Sequence, residues 1–211
     1  MPGMEHGAMP GMDHDAHMER MMDMHERLMA ELKRTGDPRV TGDGSYFEGP
    51  STGIGWQTSY INAWYAAPAG ALSFNDNVVT IIVRPGDRIG GPSRVSFHPH
   101  TEGLAIVNRV TTTSARGGRS IGINRRPDIG GYEIYGRIPV RGGPLRYVVA
   151  VDDPPEYALS VFRDRIERAG IPVLGRNQVV LDEGLMPSAP RRLVASHTSP
   201  RMEEIVRVIN K

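Results

Sequence analysis

The feature that most constrains the fold is a series of six short β-prone segments between residues 78 and 151, each separated from the next by glycine or proline. The segments are rich in Val, Ile, Thr and Tyr, which favour strands. Their connections are too short for the crossover helix that joins parallel strands. We therefore predict an α+β fold of mainly antiparallel β-sheet meanders with a few packed helices. The predicted strands are Val78–Val83, Arg94–Phe97, Leu104–Thr112, Ser120–Asn124, Tyr132–Ile138 and Leu145–Val151.

Two helices are predicted after these strands. Asp152 and Asp153 offer an N-cap, Pro154 and Pro155 suit the first turn, and Gly170 suits the C-terminal end of the same helix. The apolar stripe of this helix consists of Leu159, Phe162, Ile166 and Ala169. The second helix begins at Ser199-Pro200. Short strands are predicted at Ile171–Val173, Gln178–Leu181 and Arg192–Ser196.

Composition divides the chain near residue 36. Residues 1–33 hold nine of the eleven methionines and four of the seven histidines, and the run Met-Pro-Gly-Met-Glu-His at residues 1–6 recurs at residues 9–14 with Asp for Glu. Pro and Gly should keep this repeat flexible, whereas Ala16–Lys33 lacks both and is predicted to be helical. We predict a Met/His-rich leader and helix at 1–35, strand-rich accessory domains at 36–198 and the start of a further helix at 199–211.

Charge and residue usage exclude several classes of protein. The formal net charge is +1, so nothing draws the whole chain to nucleic acid or anionic lipid. The absence of cysteine excludes thiolate metal sites and cysteine nucleophiles. Lys33 and Lys211 are the only lysines among 25 basic residues, and arginine is a poor general base because it stays protonated. No apolar run approaches the ~20 residues of a membrane span, and we expect no signal peptide.

Five blocks of residues follow one another in a distinctive order after residue 36. They are Gly42-Asp43-Gly44-Ser45-Tyr46-Phe47 with Gly55-Trp56, Ala67 to Asn77 (APAGALSFNDN), Tyr135-Gly136-Arg137-Ile138-Pro139, Asp153-Pro154-Pro155-Glu156-Tyr157-Ala158 up to Gly170-Ile171, and Ser196-His197-Thr198-Ser199-Pro200 up to Asn210-Lys211. Together they resemble the class C penicillin-binding proteins, the D-alanyl-D-alanine carboxypeptidases and endopeptidases of peptidase family S13. The resemblance covers residues 36–211.

The resemblance implies a parent protein that hydrolyses the terminal D-Ala-D-Ala bond, or a peptide crosslink, of peptidoglycan through a serine acyl-enzyme. Such enzymes act in the periplasm or another extracytoplasmic compartment. The family's nucleophile lies in Ser-x-x-Lys and is assisted by Ser-x-Asn and Lys-Thr-Gly. We expect all three motifs to lie outside this chain, the first before the matched region and the other two after it.

Two partial matches to these motifs are dismissed. Ser73-Phe74-Asn75 fits Ser-x-Asn but falls within the block where the family has a structural strand entry, and Lys33-Arg34-Thr35-Gly36 has one residue inserted into Lys-Thr-Gly. No catalytic residue is therefore assigned. We predict an inactive fragment with a structural or substrate-positioning role, whose partners are the peptidoglycan stem peptide and the missing catalytic domain, to which the helix at 199–211 would belong.

Asp43 is the candidate for substrate contact. In family members an acidic residue in this stretch lies near the mouth of the active site, where it can contact the amino group of the stem peptide. The alternative is an aspartate that caps a turn before Gly44.

The Met/His-rich segment resembles the copper-handling stretches of periplasmic proteins. Thioether sulfur suits Cu(I), and imidazole binds Cu(I) or Cu(II). Because residues four apart share a helix face, His17, Met21 and His25 could ligate one ion, and His6 and His14 occupy equivalent places in the repeat. Copper binding through residues 1–29 is therefore the second functional hypothesis, and no other cofactor is expected. The alternative is a solvated leader that binds metal weakly.

Two further interpretations are weaker. The first is nucleic-acid binding, but few aromatic residues and the near-zero net charge favour a solvated sheet face, and we expect no nucleic-acid partner. It would use Arg116, Arg119, Arg125, Arg126, Arg137, Arg141 and Arg146. The second is a complete enzyme subunit, which would need a serine beside His98, His100 or His197.

Overall fold

The structure is a computed structural model that describes residues 22–23, 26–27, 30, 40–47, 49, 51, 55, 60, 62–186 and 192–209, the side chains at 205, 208 and 209 excepted. The chain divides into two compact units, one formed by Asp37–Pro187 and the other by Met1–Gly36 with Ser188–Lys211. The strands are β1 (Thr41–Asp43), β2 (Val78–Arg84), β3 (Arg94–His98), β4 (Ala105–Thr113), β5 (Ser120–Arg126), β6 (Gly131–Pro139), β7 (Leu145–Ala150) and β8 (Gln178–Val180). The helices are α1 (Pro154–Arg168) and α2 (Met202–Ile209).

In the larger unit, one sheet has the strand order β3-β2-β7 and is antiparallel throughout. The central strand β2 buries Val79, Ile81 and Val83 on the core side of the sheet. Residues between them in the sequence lie on the opposite face because side chains alternate along a strand. The β-branched run of β2 therefore suits a central strand.

A second sheet has the order β4-β6-β5, in which β4 runs parallel to β6 and β5 antiparallel to it. The loop between β2 and β3 is tied to β4, since Ser93 N donates to Val110 O at 2.9 Å and Gly86 N donates to the Thr112 hydroxyl at 2.8 Å. These bonds hold that loop against an edge of the second sheet.

A common core fills the space between the two sheets and α1. The rings of Phe97 and Tyr132 meet edge to face with centroids 6.0 Å apart, and those of Phe74 and Tyr157 do so at 5.9 Å. Each buried hydroxyl has a partner, because Tyr132 donates to Ala150 O at 2.7 Å and Tyr157 to Val78 O at 3.3 Å. Burial raises the pKa of Tyr132 and raises the pKa of Tyr157 to about 12. The other core residues are Val79, Ile81, Val83, Val110, Ile134, Ile138, Val149, Val151 and Val161.

The helix α1 begins and ends where its sequence signals predict. Asp153 accepts a hydrogen bond from Glu156 N at 3.0 Å, which satisfies a free donor of the first turn. Gly170, beyond the last turn, has the left-handed φ of 83° that glycine adopts without strain. Next to this helix, β1 and β8 form a short parallel sheet.

The predicted α+β class with mainly antiparallel sheets is confirmed. Two strand pairs, β4 with β6 and β1 with β8, are instead parallel. Residues 171–173 and 192–196 do not form the predicted strands. Phe162 was placed on the buried stripe of α1 but is 40% exposed, because the helix buries Tyr157, Leu159, Val161 and Ile166. The last helix begins at Met202 rather than at Ser199.

In the smaller unit, the described residues between 22 and 30 are helical, and Asp23 pairs with Arg27 one turn later at 2.8 Å. The rest of the helix predicted at Ala16–Lys33, and the repeat before it, lie outside the described residues. The domain boundaries at 35/36 and 198/199 stay predictions. Within the described residues, no helix is long and apolar enough to cross a membrane.

Candidate functional site

Asp43 is the last residue of β1 and is exposed. The residues on either side of it fix its position. A Cβ on Gly42 would lie 2.6 Å from Leu72 Cδ1 and 2.8 Å from Leu159 Cδ2, so these side chains pack closely against the glycine and would have to shift for a larger residue. Gly44 N donates to Val180 O at 2.8 Å. The end of the short sheet therefore presents the Asp43 carboxylate at the surface.

The Asp43 carboxylate caps the turn that follows it. Its Oδ1 accepts hydrogen bonds from Ser45 N at 3.1 Å and from the Ser45 hydroxyl at 2.6 Å. This is the geometry of the turn-capping interpretation, and it also holds the carboxylate in one orientation. The capping bonds and a contact with substrate are therefore compatible.

Exposed apolar side chains surround this turn. Tyr46 and Phe47 meet edge to face with centroids 5.1 Å apart, and they are 84% and 64% exposed. Leu181, which lies against Gly44, is 68% exposed. A carboxylate beside exposed aromatic rings can bind a ligand that carries both an amine and an apolar surface.

Ser73, from the dismissed Ser-x-Asn match, is part of a hydrogen-bonded turn. Its hydroxyl donates to Asn77 Oδ1 at 2.9 Å, and the same oxygen accepts from Phe74 N at 3.2 Å. Asn77 is 5% exposed and donates to Pro68 O at 2.8 Å. No lysine is among the residues that the structure describes, so none is seen beside this serine.

Two of the histidines considered for catalysis, His98 and His100, form no hydrogen bond with a described serine. His98 is exposed at the end of β3, and His100 Nδ1 contacts the Arg168 guanidinium and lies 3.8 Å from Asp164 Oδ2. Among the described serines, none is hydrogen bonded to His98 or His100.

The candidate metal ligands His6, His14, His17, Met21 and His25 lie outside the described residues. In the part of the chain that the structure does describe, no three or more His, Cys, Asp or Glu side chains are grouped closely enough to hold a metal ion.

Two of the arginines considered for nucleic-acid binding have carboxylate partners. The Arg125 side chain is only 7% exposed and pairs with Asp152 at 2.9 Å. Arg126 pairs with Asp128 at 2.6 Å, and this pair lowers the pKa of Asp128. Arg125 is therefore largely withdrawn from solvent, whereas Arg126 is partly exposed and its charge is paired with Asp128.

The structure also contains a cleft that the sequence did not reveal. It is lined by Trp64, Tyr65, Asp76, Val78 and Val148 and has a volume of about 460 Å³. These residues come from three separate parts of the chain. The only indication of this cleft in the local sequence was that Asp76 belongs to the APAGALSFNDN block.

A comparison with known protein families identifies the chain's relatives. The sequence model of the D-Ala-D-Ala carboxypeptidase 3 (S13) family matches residues 12–211. The chain belongs to this family. The resemblance in the sequence blocks begins at residue 36, whereas the S13 match begins at residue 12. The match therefore includes part of the Met/His-rich segment.

Individual proteins that this chain resembles are longer than it. The D-alanyl-D-alanine carboxypeptidase of Actinomadura sp. (strain R39) is 26% identical over an alignment of 196 residues that covers 86% of this chain and 35% of that protein. The crystal structure of penicillin binding protein 4 (dacB) from Haemophilus influenzae has a similar fold, with a TM-score of 0.55 at 17% identity over 77% of this chain and 36% of that one. The chain therefore spans about a third of the length of each.

Proposed function

We propose that this chain is a non-catalytic, substrate-positioning part of a peptidoglycan D-Ala-D-Ala carboxypeptidase or endopeptidase. The observation that carries the proposal is membership of the S13 family in a sequence that contains no Ser-x-x-Lys. Serine acylation needs a hydroxyl beside a group that takes its proton. The bonds of Ser73 to the turn at Asn77 support a structural role for the Ser-x-Asn match.

In this proposal the acylating serine and its lysine come from parts of the parent protein beyond this segment. The length of the relatives supports this, because about two thirds of each lies outside the match. The stem peptide and that catalytic domain are then the partners. The chain acts in an extracytoplasmic compartment, where peptidoglycan is exposed to enzymes.

The proposed role of Asp43 is to hold the free amine of the stem peptide. Its carboxylate is exposed, oriented by Ser45 and flanked by the apolar surface of Tyr46 and Phe47. An ammonium group can pair with the carboxylate while the peptide's carbon chain packs on the rings. Because the site is exposed, the pairing adds modest affinity.

A pair of peptides tests this role. A soluble stem pentapeptide that ends in D-Ala-D-Ala and has a free side-chain amine should bind more tightly than the same peptide with that amine acetylated. We expect a difference of up to about fivefold, because exposed ion pairs are worth at most about 1 kcal/mol. Titration calorimetry or NMR chemical-shift changes would measure both affinities.

Asp43→Asn should remove the preference for the free amine, since it removes the charge but keeps an acceptor for Ser45. The matched control is Asp87→Asn, another exposed aspartate whose partner is Arg94. A preference that persists in Asp43→Asn, or that Asp87→Asn abolishes equally, would contradict the role of Asp43.

A second proposal is that residues 1–29 bind copper through His6, His14, His17, Met21 and His25. Its support is the thioether and imidazole content of the segment. Replacement of His17 and His25 by alanine should weaken Cu(I) binding about tenfold in competition with a chromogenic chelator. The matched control replaces His98 and His197. Equal copper affinity in the two variants would contradict the proposal.

A further inference from the structure

The cleft lined by Trp64, Tyr65, Asp76, Val78 and Val148 has the character of a small-molecule site. Its volume of about 460 Å³ falls within the range of about 300–1,000 Å³ that is usual for such sites. Four of its lining side chains are apolar or aromatic and one is a carboxylate. This is the combination of apolar walls and a few polar groups that fixes the orientation of a ligand.

The aromatic wall is both exposed and held in place. Trp64 and Tyr65 are 64% and 55% exposed, yet their rings meet edge to face with centroids 5.8 Å apart. The Tyr60 ring lies 6.1 Å from that of Tyr65. The backbone of this segment is fastened to β7 through a bridge between Ala63 and Val149. A ligand would therefore meet rings that are already arranged, with little entropy lost on binding.

Asp76 lies in a turn with left-handed backbone conformation. Asn75, Asp76 and Asn77 have φ values of 52°, 53° and 56°, three successive left-handed residues without glycine. Asn75 and Asn77 use their side chains to bond Val78 O and Pro68 O, each at 2.8 Å. Within the described residues, no hydrogen bond or ion pair joins the Asp76 carboxylate to another side chain. Backbone strain of this kind is often found where a side chain is positioned for a ligand.

The charge of the surrounding sheet face favours a neutral ligand over an organic cation. The register pairs Thr80 with Val148 and Ile82 with Arg146, so Arg146 lies on the same face as Val148. Arg84, two residues beyond Ile82, also lies on that face. Arg146, two residues from Val148, would repel an ammonium group near the cleft. Arg84 instead lies six residues from Val78, about 20 Å away along β2, and its charge is largely screened there. A sugar has no charge, packs its C–H face on aromatic rings and donates hydroxyl hydrogen bonds to a carboxylate.

We propose that this cleft binds a sugar ring of a glycan strand, an N-acetylhexosamine. The choice of glycan rests on the proposed function, since the stem peptide of peptidoglycan is attached to such a strand. The chain would then have two binding sites for one peptidoglycan polymer, the cleft for the sugar and Asp43 for the peptide.

Titration with N,N′,N″-triacetylchitotriose tests the proposal in the full chain. Trp56 and Trp64 are its only tryptophans, so Trp56→Phe leaves Trp64 as the single tryptophan reporter. We expect a saturable change in Trp64 fluorescence. In the wild-type chain, the sugar should also shift the NMR signals of the Trp64 indole N–H and of the Asp76 and Val148 amides.

Three variants assign the binding to the cleft, with affinities measured by NMR titration. Trp64→Ala should raise the dissociation constant at least about tenfold, because the stacking surface is lost, and Asp76→Asn should raise it several-fold. Phe162→Ala is the matched control, since Phe162 is an exposed ring on α1 that belongs to neither candidate site; it should leave sugar affinity unchanged. The amide spectrum of each variant checks that it is folded.

The proposal is overturned if the wild-type chain shows no saturable response, if the shifted signals cluster at Tyr46 and Phe47, or if tetramethylammonium binds more tightly than the sugar. Loss of sugar binding with intact Asp43-dependent peptide binding would overturn this inference alone. Sugar binding without any preference for the free amine of the peptide would instead overturn the peptide-positioning role and leave the cleft assignment standing.

Discussion

Gly136, in the central strand β6 of the second sheet, occupies a position that a larger residue cannot take. Its φ is 119°, and a Cβ there would lie 2.0 Å from the carbonyl oxygen of Ser120 on β5. The positive φ and the contact with the Ser120 carbonyl both involve backbone atoms, so a side-chain rotation cannot relieve them. The glycine in the Tyr135 to Pro139 block is therefore explained by the close approach of β5 to β6, which the sequence alone does not show.

Gly136→Ala should lower the free energy of unfolding by about 3 kcal/mol or more, because the strand must shift or unpair. Gly143→Ala is the control, since no atom lies within 4 Å of its Cβ position; its effect should stay within about 0.5 kcal/mol. Urea denaturation of both variants measures the difference. Equal stabilities would show that the β5–β6 pairing does not require glycine at position 136.

Asp43 illustrates what local sequence can predict about one residue. The run Gly-Asp-Gly-Ser predicts a capped turn. The structure contains this turn, in which the Ser45 amide and hydroxyl donate hydrogen bonds to the Asp43 carboxylate. The sequence alone did not show the close packing at Gly42, because Leu72 and Leu159, which pack against it, are 30 or more residues away in the sequence.

At the scale of elements, the turn Asn75–Asn77 depends on the Asn77 side chain. Its amide bonds Pro68 O, Phe74 N and the Ser73 hydroxyl while it is almost fully buried. Asn77→Ala would leave these groups without their partner. It should lower the free energy of unfolding by about 2–4 kcal/mol, since each unsatisfied buried group costs about 1–3 kcal/mol.

The control for this change is Asn124→Ala on β5, an exposed asparagine whose loss should cost no more than about 0.5 kcal/mol. Thermal unfolding followed by circular dichroism would rank the two variants. An Asn77→Ala protein as stable as Asn124→Ala would mean that solvent replaces the lost bonds, and that the left-handed turn carrying Asp76 is not held by Asn77.

Most element boundaries followed from local signals. The six strands between residues 78 and 150 were predicted to within two residues at each end, because glycine and proline mark their limits. The cap at Asp153 and the glycine at 170 marked α1 in the same way.

Pairing between distant elements was not predictable. The strand β1 has three residues, too few for a periodic pattern, and its partner β8 lies more than 130 residues later. The parallel pairing of β4 with β6 skips the intervening β5, whereas short turns predict pairing of neighbours. Phe162 was misplaced because α1 packs along Tyr157 and Val161, and helical spacing alone does not say which side faces the core.

Within the residues that the structure describes, the sequence predicted one candidate site and missed another. The Asp43 turn is contiguous in sequence and belongs to a family block. The aromatic cleft combines Trp64, Asp76 and Val148, which come together through the β2–β7 pairing and the bridge between Ala63 and Val149. Sites of that kind can be found only after strand order is known.

The central claim for the whole molecule is that an S13 family chain without Ser-x-x-Lys does not form an acyl-enzyme. Within the described residues, the Ser73 hydroxyl bonds Asn77 in a turn, and both lysines of the chain, Lys33 and Lys211, lie outside those residues. The most direct measurement is incubation of the purified chain with fluorescent penicillin, followed by denaturing electrophoresis, with penicillin binding protein 4 of Haemophilus influenzae as the positive control. The account predicts a labelled band for the control and none for this chain. A band in this chain that unlabelled penicillin competes away would contradict it, and loss of that band in Ser73→Ala would identify the serine.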